Sequence, residues 1–197
     1  MKWCLGDLVG YFHQSLEVLD LMIKSGIPTI LGNHDAYLIN KLPYSREKDE
    51  LINLGYVQKK MTAAQRQWLN QRPLFLESSL DNKTLAAFHA SPWTTLEEYV
   101  YPNYKHFKRF SKLSWDYIFL GHTHYPLLKT IGKVTIINPG SCGQPRQGDY
   151  RACAVILDVH RGKVEFLHIE YDIEKVLSQA KKKGVHPKVI HKLKSAI

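Results

Sequence analysis

Ile27-Pro28-Thr29-Ile30-Leu31-Gly32-Asn33-His34-Asp35 decides how this chain is read: a short β-branched run ends in a glycine, and the glycine is followed by a carboxamide, an imidazole and a carboxylate. Groups of that kind at a turn converge on a ligand more readily than they pack in a core. A second stretch repeats the design, since the apolar run Trp115 to Leu120 delivers Gly121-His122-Thr123-His124. Upstream, Lys2 to Leu5 reads as a strand stub ending at Gly6-Asp7, and residues 13–25 carry Leu16, Leu19, Met22 and Ile23 at helical spacing before Gly26. Together these segments predict a βαβ unit whose polar groups sit at the carboxyl ends of its strands, the usual place for a ligand site in α/β proteins.

The rest of the chain continues the pattern. Thr62-Ala63-Ala64-Gln65 is a capping box that opens a helix through Trp68 and Leu69, ended by Pro73. Leu74 to Leu76 and Thr84 to Phe88 read as strands around a turn at Asp81-Asn82, the second delivering His89. Val134 to Ile137, Ala152 to Asp158 and Val164 to Ile169 are further strands, and helices over 173–183 and 187–194 close the chain. Asp158-Val159-His160 resembles a ligand pair, but it leads into a strand and reads as a hairpin turn.

At 197 residues the chain is most economically one domain, 1–197, with 44% hydrophobic and 23% charged residues. No apolar run approaches the ~18 residues of a membrane span, and Met1 to Leu5 offers no apolar stretch for a secretory signal. No membrane partner and a cytoplasmic location are therefore expected. Three cysteines, Cys4, Cys142 and Cys153, suggest reduced, mostly buried thiols rather than a disulfide framework. The net charge of +9 is concentrated in the C-terminal lysines Lys181, Lys182, Lys183, Lys188, Lys192 and Lys194, where cations complement helix dipoles. A nucleic-acid partner is not implied.

Taken singly, an Asn-His-Asp or a His-x-His is more often a turn than a metal site. In order, Gly6-Asp7, Gly32-Asn33-His34-Asp35, His89-Ala90-Ser91-Pro92, Gly121-His122-Thr123-His124, Asn138-Pro139-Gly140-Ser141 and Gly143-Gln144-Pro145-Arg146 resemble the calcineurin-like metallophosphoesterases. The branch is that of the bacterial diadenosine tetraphosphatase-like and small phosphodiesterase-like members. The resemblance implies an α/β four-layer sandwich, two mixed β-sheets packed face to face between helices. It implies two divalent ions, with Mn, Fe or Zn suiting the nitrogen and oxygen ligands, and hydrolysis of phosphomonoesters or phosphodiesters by a metal-bridging hydroxide.

Residue by residue, Asp7 corresponds to the bridging carboxylate, Asn33, His89 and His122 to the other ligands of the second ion, and His124 to a ligand of the first. Read as an extended segment, His122-Thr123-His124 points both imidazoles to one face. His34 corresponds to the proton donor, Asp35 caps or orients the loop, and Ser141 and Arg146 are candidates for substrate contact. Many relatives place an Asp partner for that histidine where this chain has Gly10. The family also opens on a strand bearing Asp-x-His, and only five residues precede Gly6. The expectation is thus an N-terminally incomplete domain lacking the first strand and helix, with the second metal site retained and the first weakened. A non-catalytic scaffold, or a truncated inactive fragment, is the alternative to an enzyme.

One segment is open to two readings. Tyr99 to Phe110 interleaves aromatic and basic side chains, which suits a nucleotide-type substrate. Tyr104, Phe107 and Phe110, however, have the spacing of a core-facing helix.

Overall fold

The computed structural model describes residues 1–195, and its contacts divide the chain into two compact units. The first comprises Met1–Leu74 and Asp172–Ser195, the second Phe75–Tyr171.

The first unit holds seven helices: α1 (Ser15–Ser25), α2 (Asn33–Leu38), α3 (Arg46–Ile52), α4 (Leu54–Lys60), α5 (Ala63–Asn70), α6 (Ile173–Lys182) and α7 (Pro187–Lys194). Helix α1 is the predicted one, and Gly26 ends it at φ 63°, where a side chain would be strained. Of its apolar stripe Leu19 is buried, whereas Ile23 faces solvent. The capping box at α5 forms as read, with Thr62 Oγ1 accepting from Gln65 N and Gln65 Oε1 accepting from Thr62 N. Gln65 also reaches α1, donating to Asp20 Oδ1 at 2.7 Å. The strands expected on either side of α1 are reduced to a single parallel bridge, Cys4 to Thr29, with Cys4 N donating to Pro28 O and Ile30 N to Cys4 O. Helices α3 and α4 are not legible in the sequence, because their polar segments lack a sustained apolar stripe. At the C-terminus Asp172 caps α6, and Pro187 stands at the first turn of α7, where its missing N–H costs nothing. Lys181 and Lys182 lie in the last turn of α6, as expected from the dipole.

The second unit contains a five-stranded mixed sheet in the order β1-β2-β3-β5-β4 and a two-stranded antiparallel sheet, β6-β7. The strands are β1 (Phe75–Leu80), β2 (Lys83–Phe88), β3 (Tyr117–Leu120), β4 (Pro126–Ile131), β5 (Val134–Pro139), β6 (Ala152–Asp158) and β7 (Lys163–Ile169). Asp81 and Asn82, at φ 50° and 60°, make the tight turn between β1 and β2. Asp158 Oδ1 accepts from Arg161 N in the turn between β6 and β7, so Asp158-Val159-His160 is a hairpin element as read. The second sheet of the described residues is thus antiparallel rather than mixed.

Strands β2, β3 and β5 are mutually parallel, with Ala86 opposite Ile118 and Ile118 opposite Ile136. One face of that register forms a core of Ala86, Phe88, Ile118, Leu120, Val134 and Ile136 under Phe107 and Phe110. Ala87 and Ile137 on the other face are buried too, which explains why these strands read as unbroken apolar runs. Each fully buried Leu, Ile or Phe contributes roughly 1.5–3 kcal/mol, enough to hold the three strand ends in fixed register. Because the strands run the same way, their carboxyl ends deliver His89, Gly121-His122 and Asn138 at one edge of the sheet.

Candidate metal centre

In the first unit four polar side chains meet where the Gly6 and Gly32 loops touch. Asp35, at the first turn of α2, is completely buried. Its Oδ2 accepts from Asp7 N at 2.8 Å and from Gly32 N at 3.0 Å, and its Oδ1 accepts from Leu8 N at 2.9 Å. Asp35 therefore caps its own helix and clamps the Asp7 loop to it. Asp7 returns the contact, its Oδ1 accepting from His34 N at 2.9 Å, which aims the carboxylate at the helix start. The loops approach so closely that a Cβ on Gly32 would lie 2.1 Å from Asp7 Oδ1. Asp7 itself has φ 57°, a left-handed backbone that costs a non-glycine residue roughly 1–3 kcal/mol and that a folded site must hold in place.

His34 and Asn33 are both buried at the start of α2. The ring of His34 lies 4.9 Å from that of Tyr11, and its Nδ1 is 3.1 Å from Val9 O. A carbonyl only accepts, so Nδ1 carries the proton of that bond and Nε2 is the atom left for chemistry. The Val9 carbonyl thus orients His34. Gly10, at φ 104°, leaves room for this, since a Cβ there would come within 2.7 Å of His34 Nδ1.

The sharpest expectation from this half concerns Asp35. Asp35→Ala would leave three backbone donors, one buried and two part-buried, without their acceptor, and the loss should be about 3 kcal/mol of folding stability. Urea denaturation reads it directly. Asp35→Asn, whose single carbonyl oxygen accepts fewer of those bonds, should fall between wild type and alanine. Stabilities equal within ~0.5 kcal/mol would mean that Asp35 clamps nothing.

In the second unit His89 and His122 are buried with ring centroids 5.1 Å apart and planes at 68°. Gly121 N donates to His89 O at 2.8 Å, which locks the two strand ends together. The His122-Thr123-His124 segment corrects the extended reading. His122 and His124 stand at φ 61° and 62°, and Thr123 N closes a tight turn onto Gly121 O. A left-handed turn, rather than strand alternation, presents these imidazoles. It is held from below by the fully buried Asn138, whose Nδ2 donates to Gly121 O at 2.6 Å and to Thr123 Oγ1 at 3.1 Å.

His124 Nδ1 is 2.9 Å from Gln144 O, so the same donor logic puts the proton of that bond on Nδ1. Gln144 is itself buried, and its Oε1 accepts from Arg146 Nη2 at 3.2 Å. Ser141 Oγ accepts from Gly143 N and Gln144 N, shaping the same loop and leaving its own hydroxyl proton free to point elsewhere. In the sequence Asn138 and Gln144 stand in turn motifs, and nothing in their spacing signals that they orient histidines. The cysteines differ from expectation: Cys153 is buried, Cys4 is half-buried and Cys142 is exposed.

The segment after His89 is fixed by one carboxylate. Glu98 receives Ser91 Oγ and Tyr104 Oη at 2.5 Å each and Arg109 Nη1 at 2.8 Å, while the Arg109 guanidinium lies 3.3 Å over the Trp93 ring. Burial opposes ionisation of Glu98, but these hydrogen bonds and the Arg109 charge outweigh it and hold the carboxyl below its ordinary range. Tyr104, Phe107 and Phe110 pack in or against the core, whereas Tyr99 is 50% exposed and lies 4.2 Å from the His122 ring. The core-facing reading of Tyr104, Phe107 and Phe110 holds.

A mixed sheet, a second sheet and helices define an α/β protein. Residues 2–162 match the calcineurin-like phosphoesterase superfamily domain, and the chain belongs to that family. An uncharacterized protein of Methanocaldococcus jannaschii, MJ0912, is 32% identical over 192 residues, an alignment covering 88% of this chain and 77% of the relative. Among solved structures, a metallophosphoesterase from Sphaerobacter thermophilus superposes with a TM-score of 0.83 at 26% identity, covering 99% of this chain and 87% of that one. The protein PH1004 from Pyrococcus horikoshii gives 0.80 at 21% identity, covering 97% and 83%, and so shares the fold. Membership implies a phosphoester substrate and divalent metals. Among the described residues no helix is long and apolar enough to cross a membrane.

Proposed function

We propose that this protein is a metal-dependent phosphoesterase that hydrolyses phosphomonoesters or phosphodiesters, nucleotide-type esters among them, in the cytoplasm and as a single functional domain. The observation that carries the reading is the group of imidazoles at the parallel strand ends. His89 and His122 are buried side by side, and His124 has its Nδ1 committed to a carbonyl. Buried imidazoles turned in this way are poor core residues and good metal ligands.

By correspondence with the family's ligand positions, Asp7, Asn33, His89 and His122 would hold one divalent ion, and Asp7 with His124 would contribute to the other; Mn, Fe or Zn suits the donors better than Ca or Mg. When bound, such ions neutralise phosphoryl charge and lower the pKa of water at neutral pH. The chain's own residues do the rest. The Val9 carbonyl holds the His34 ring through Nδ1–H, so that in the doubly protonated imidazolium the second proton, on Nε2, is the one delivered to the departing oxygen. Ser141, with its acceptor lone pairs committed to Gly143 and Gln144, has a proton to donate to a phosphate oxygen. Arg146, steered by Gln144 Oε1, offers a fork suited to the same anion.

Metal analysis of the purified protein after supplementation with Mn and Zn tests the reading, with at least about one equivalent expected. Hydrolysis of bis(p-nitrophenyl) phosphate or p-nitrophenyl phosphate with Mn, lost on chelation and restored on re-addition, is the second arm. A folded protein that stays metal-free under these conditions would sink the proposal.

A further inference from the structure

Between Glu98 and Tyr101 alternate side chains part company. Glu98 is drawn into the Ser91, Tyr104 and Arg109 cluster and Val100 into the core. Tyr99, the residue between them, is left half in solvent. Its ring is parallel to that of Tyr101, 6° between planes and 5.7 Å between centroids, and Tyr101 is braced edge-on by Tyr125 at 5.6 Å. On the same ring Tyr99 meets His122 at 4.2 Å, a residue the proposed function assigns to the metal. An exposed aromatic ring normally costs some solubility and gains nothing by rigidity. Here it is held by anchored neighbours on both sides in the chain, beside the site where a phosphoester would react.

Accepting the phosphoesterase reading above, we infer that Tyr99, backed by Tyr101, is a stacking surface for a planar ring on the substrate, so that the substrate class is nucleoside or aryl phosphoesters rather than sugar or alkyl phosphates. A π-face needs no hydrogen-bond pattern to take a base, and loss of one stacking partner weakens nucleotide binding by about tenfold or more. The same surface discriminates against substrates that end in a sugar, whose saturated ring offers no planar π-face to cover it.

Equilibrium binding to the Mn-supplemented full chain tests this without requiring turnover. Titration calorimetry with AMP, ribose 5-phosphate and phenyl phosphate compares ligands that share a phosphate and differ in the ring. AMP should bind about tenfold or more tightly than ribose 5-phosphate. Tyr99→Leu should remove that advantage while leaving ribose 5-phosphate within about twofold, and Tyr99→Phe, which keeps the ring, should retain it. An advantage shared by phenyl phosphate assigns the surface to any planar ring, and one confined to AMP assigns it to a nucleobase. Equal affinities for AMP and ribose 5-phosphate in the wild type overturn the inference. So does an equal loss for both in Tyr99→Leu, which would mean that Tyr99 only positions His122. Failure of the phosphoesterase reading shows separately, as absent hydrolysis in a protein that still binds AMP through Tyr99.

Discussion

His34→Ala should lower turnover of a p-nitrophenyl ester by about 10² to 10⁴ while metal content stays at the wild-type level. Both halves follow from the geometry. Helix α2 presents His34 with its Nδ1 hydrogen-bonded to the Val9 carbonyl, so that bond orients the ring, and in the doubly protonated imidazolium Nε2 carries the proton to give. Asp7 is held through the His34 backbone N–H, which alanine keeps, so the substitution leaves the Asp7 carboxylate in place. A group that acts only on the departing oxygen is felt in the transition state and not in metal binding. The contrast to measure is with Asn33→Ala next to it, where metal should be lost along with rate. Esters with poorer leaving groups should suffer more from His34→Ala than p-nitrophenyl esters, whose phenolate departs without much help. Unchanged turnover would place the proton donor elsewhere.

Gly32→Ala should cost both metal and activity, about 10²-fold in each, although it adds one methyl group. Gly32 has φ −93° and ψ 171°, which alanine adopts without strain, so any effect is steric. The added Cβ would stand 2.1 Å from Asp7 Oδ1 and 2.2 Å from Asp7 N, one of them a backbone atom that cannot step aside alone. Relief requires the Asp7 loop to separate from α2, which breaks the hydrogen bonds from Asp7 N to Asp35 and from His34 N to Asp7. Asp7 then loses its aim. Metal analysis and steady-state kinetics on a variant with an unchanged circular dichroism spectrum provide the check. Wild-type metal affinity would show that the two loops can part without consequence.

The class of the chain was written in its local sequence. Apolar runs such as Thr84 to Phe88 and Trp115 to Leu120 are unbroken because parallel strands are buried on both faces, and β2 and β3 follow them closely. Thr62-x-x-Gln65, Gly26 and Asp81-Asn82 are turn and cap signals whose physics is complete within four residues, and each forms as read. The ordered series Asp7, Asn33, His34, His89, His122 and His124 could be listed for the same reason: the chemistry of a ligand is a property of its side chain.

What the sequence could not supply was how those groups are aimed. His122 and His124 sit in a left-handed turn, because Asn138, fourteen residues beyond His124, captures the Gly121 carbonyl; no local propensity predicts such a turn. Asp35 looked like a cap and proved to be a clamp as well, since the donors it satisfies on Asp7 and Leu8 lie 28 and 27 positions away. His34 takes its orientation from the Val9 carbonyl and His124 from the Gln144 carbonyl, and a backbone carbonyl has no residue type to betray it. Tyr99 and Phe110 belong to one aromatic stretch, yet one is half in solvent and the other fully buried, because Glu98 and Val100 fix which way the chain faces. Residue types and local periodicity determined the class of this protein and the candidates for its site. Tertiary structure decided backbone handedness, the committed ring nitrogens and the exposed ring, because each depends on a hydrogen bond or contact made by a residue distant in the chain.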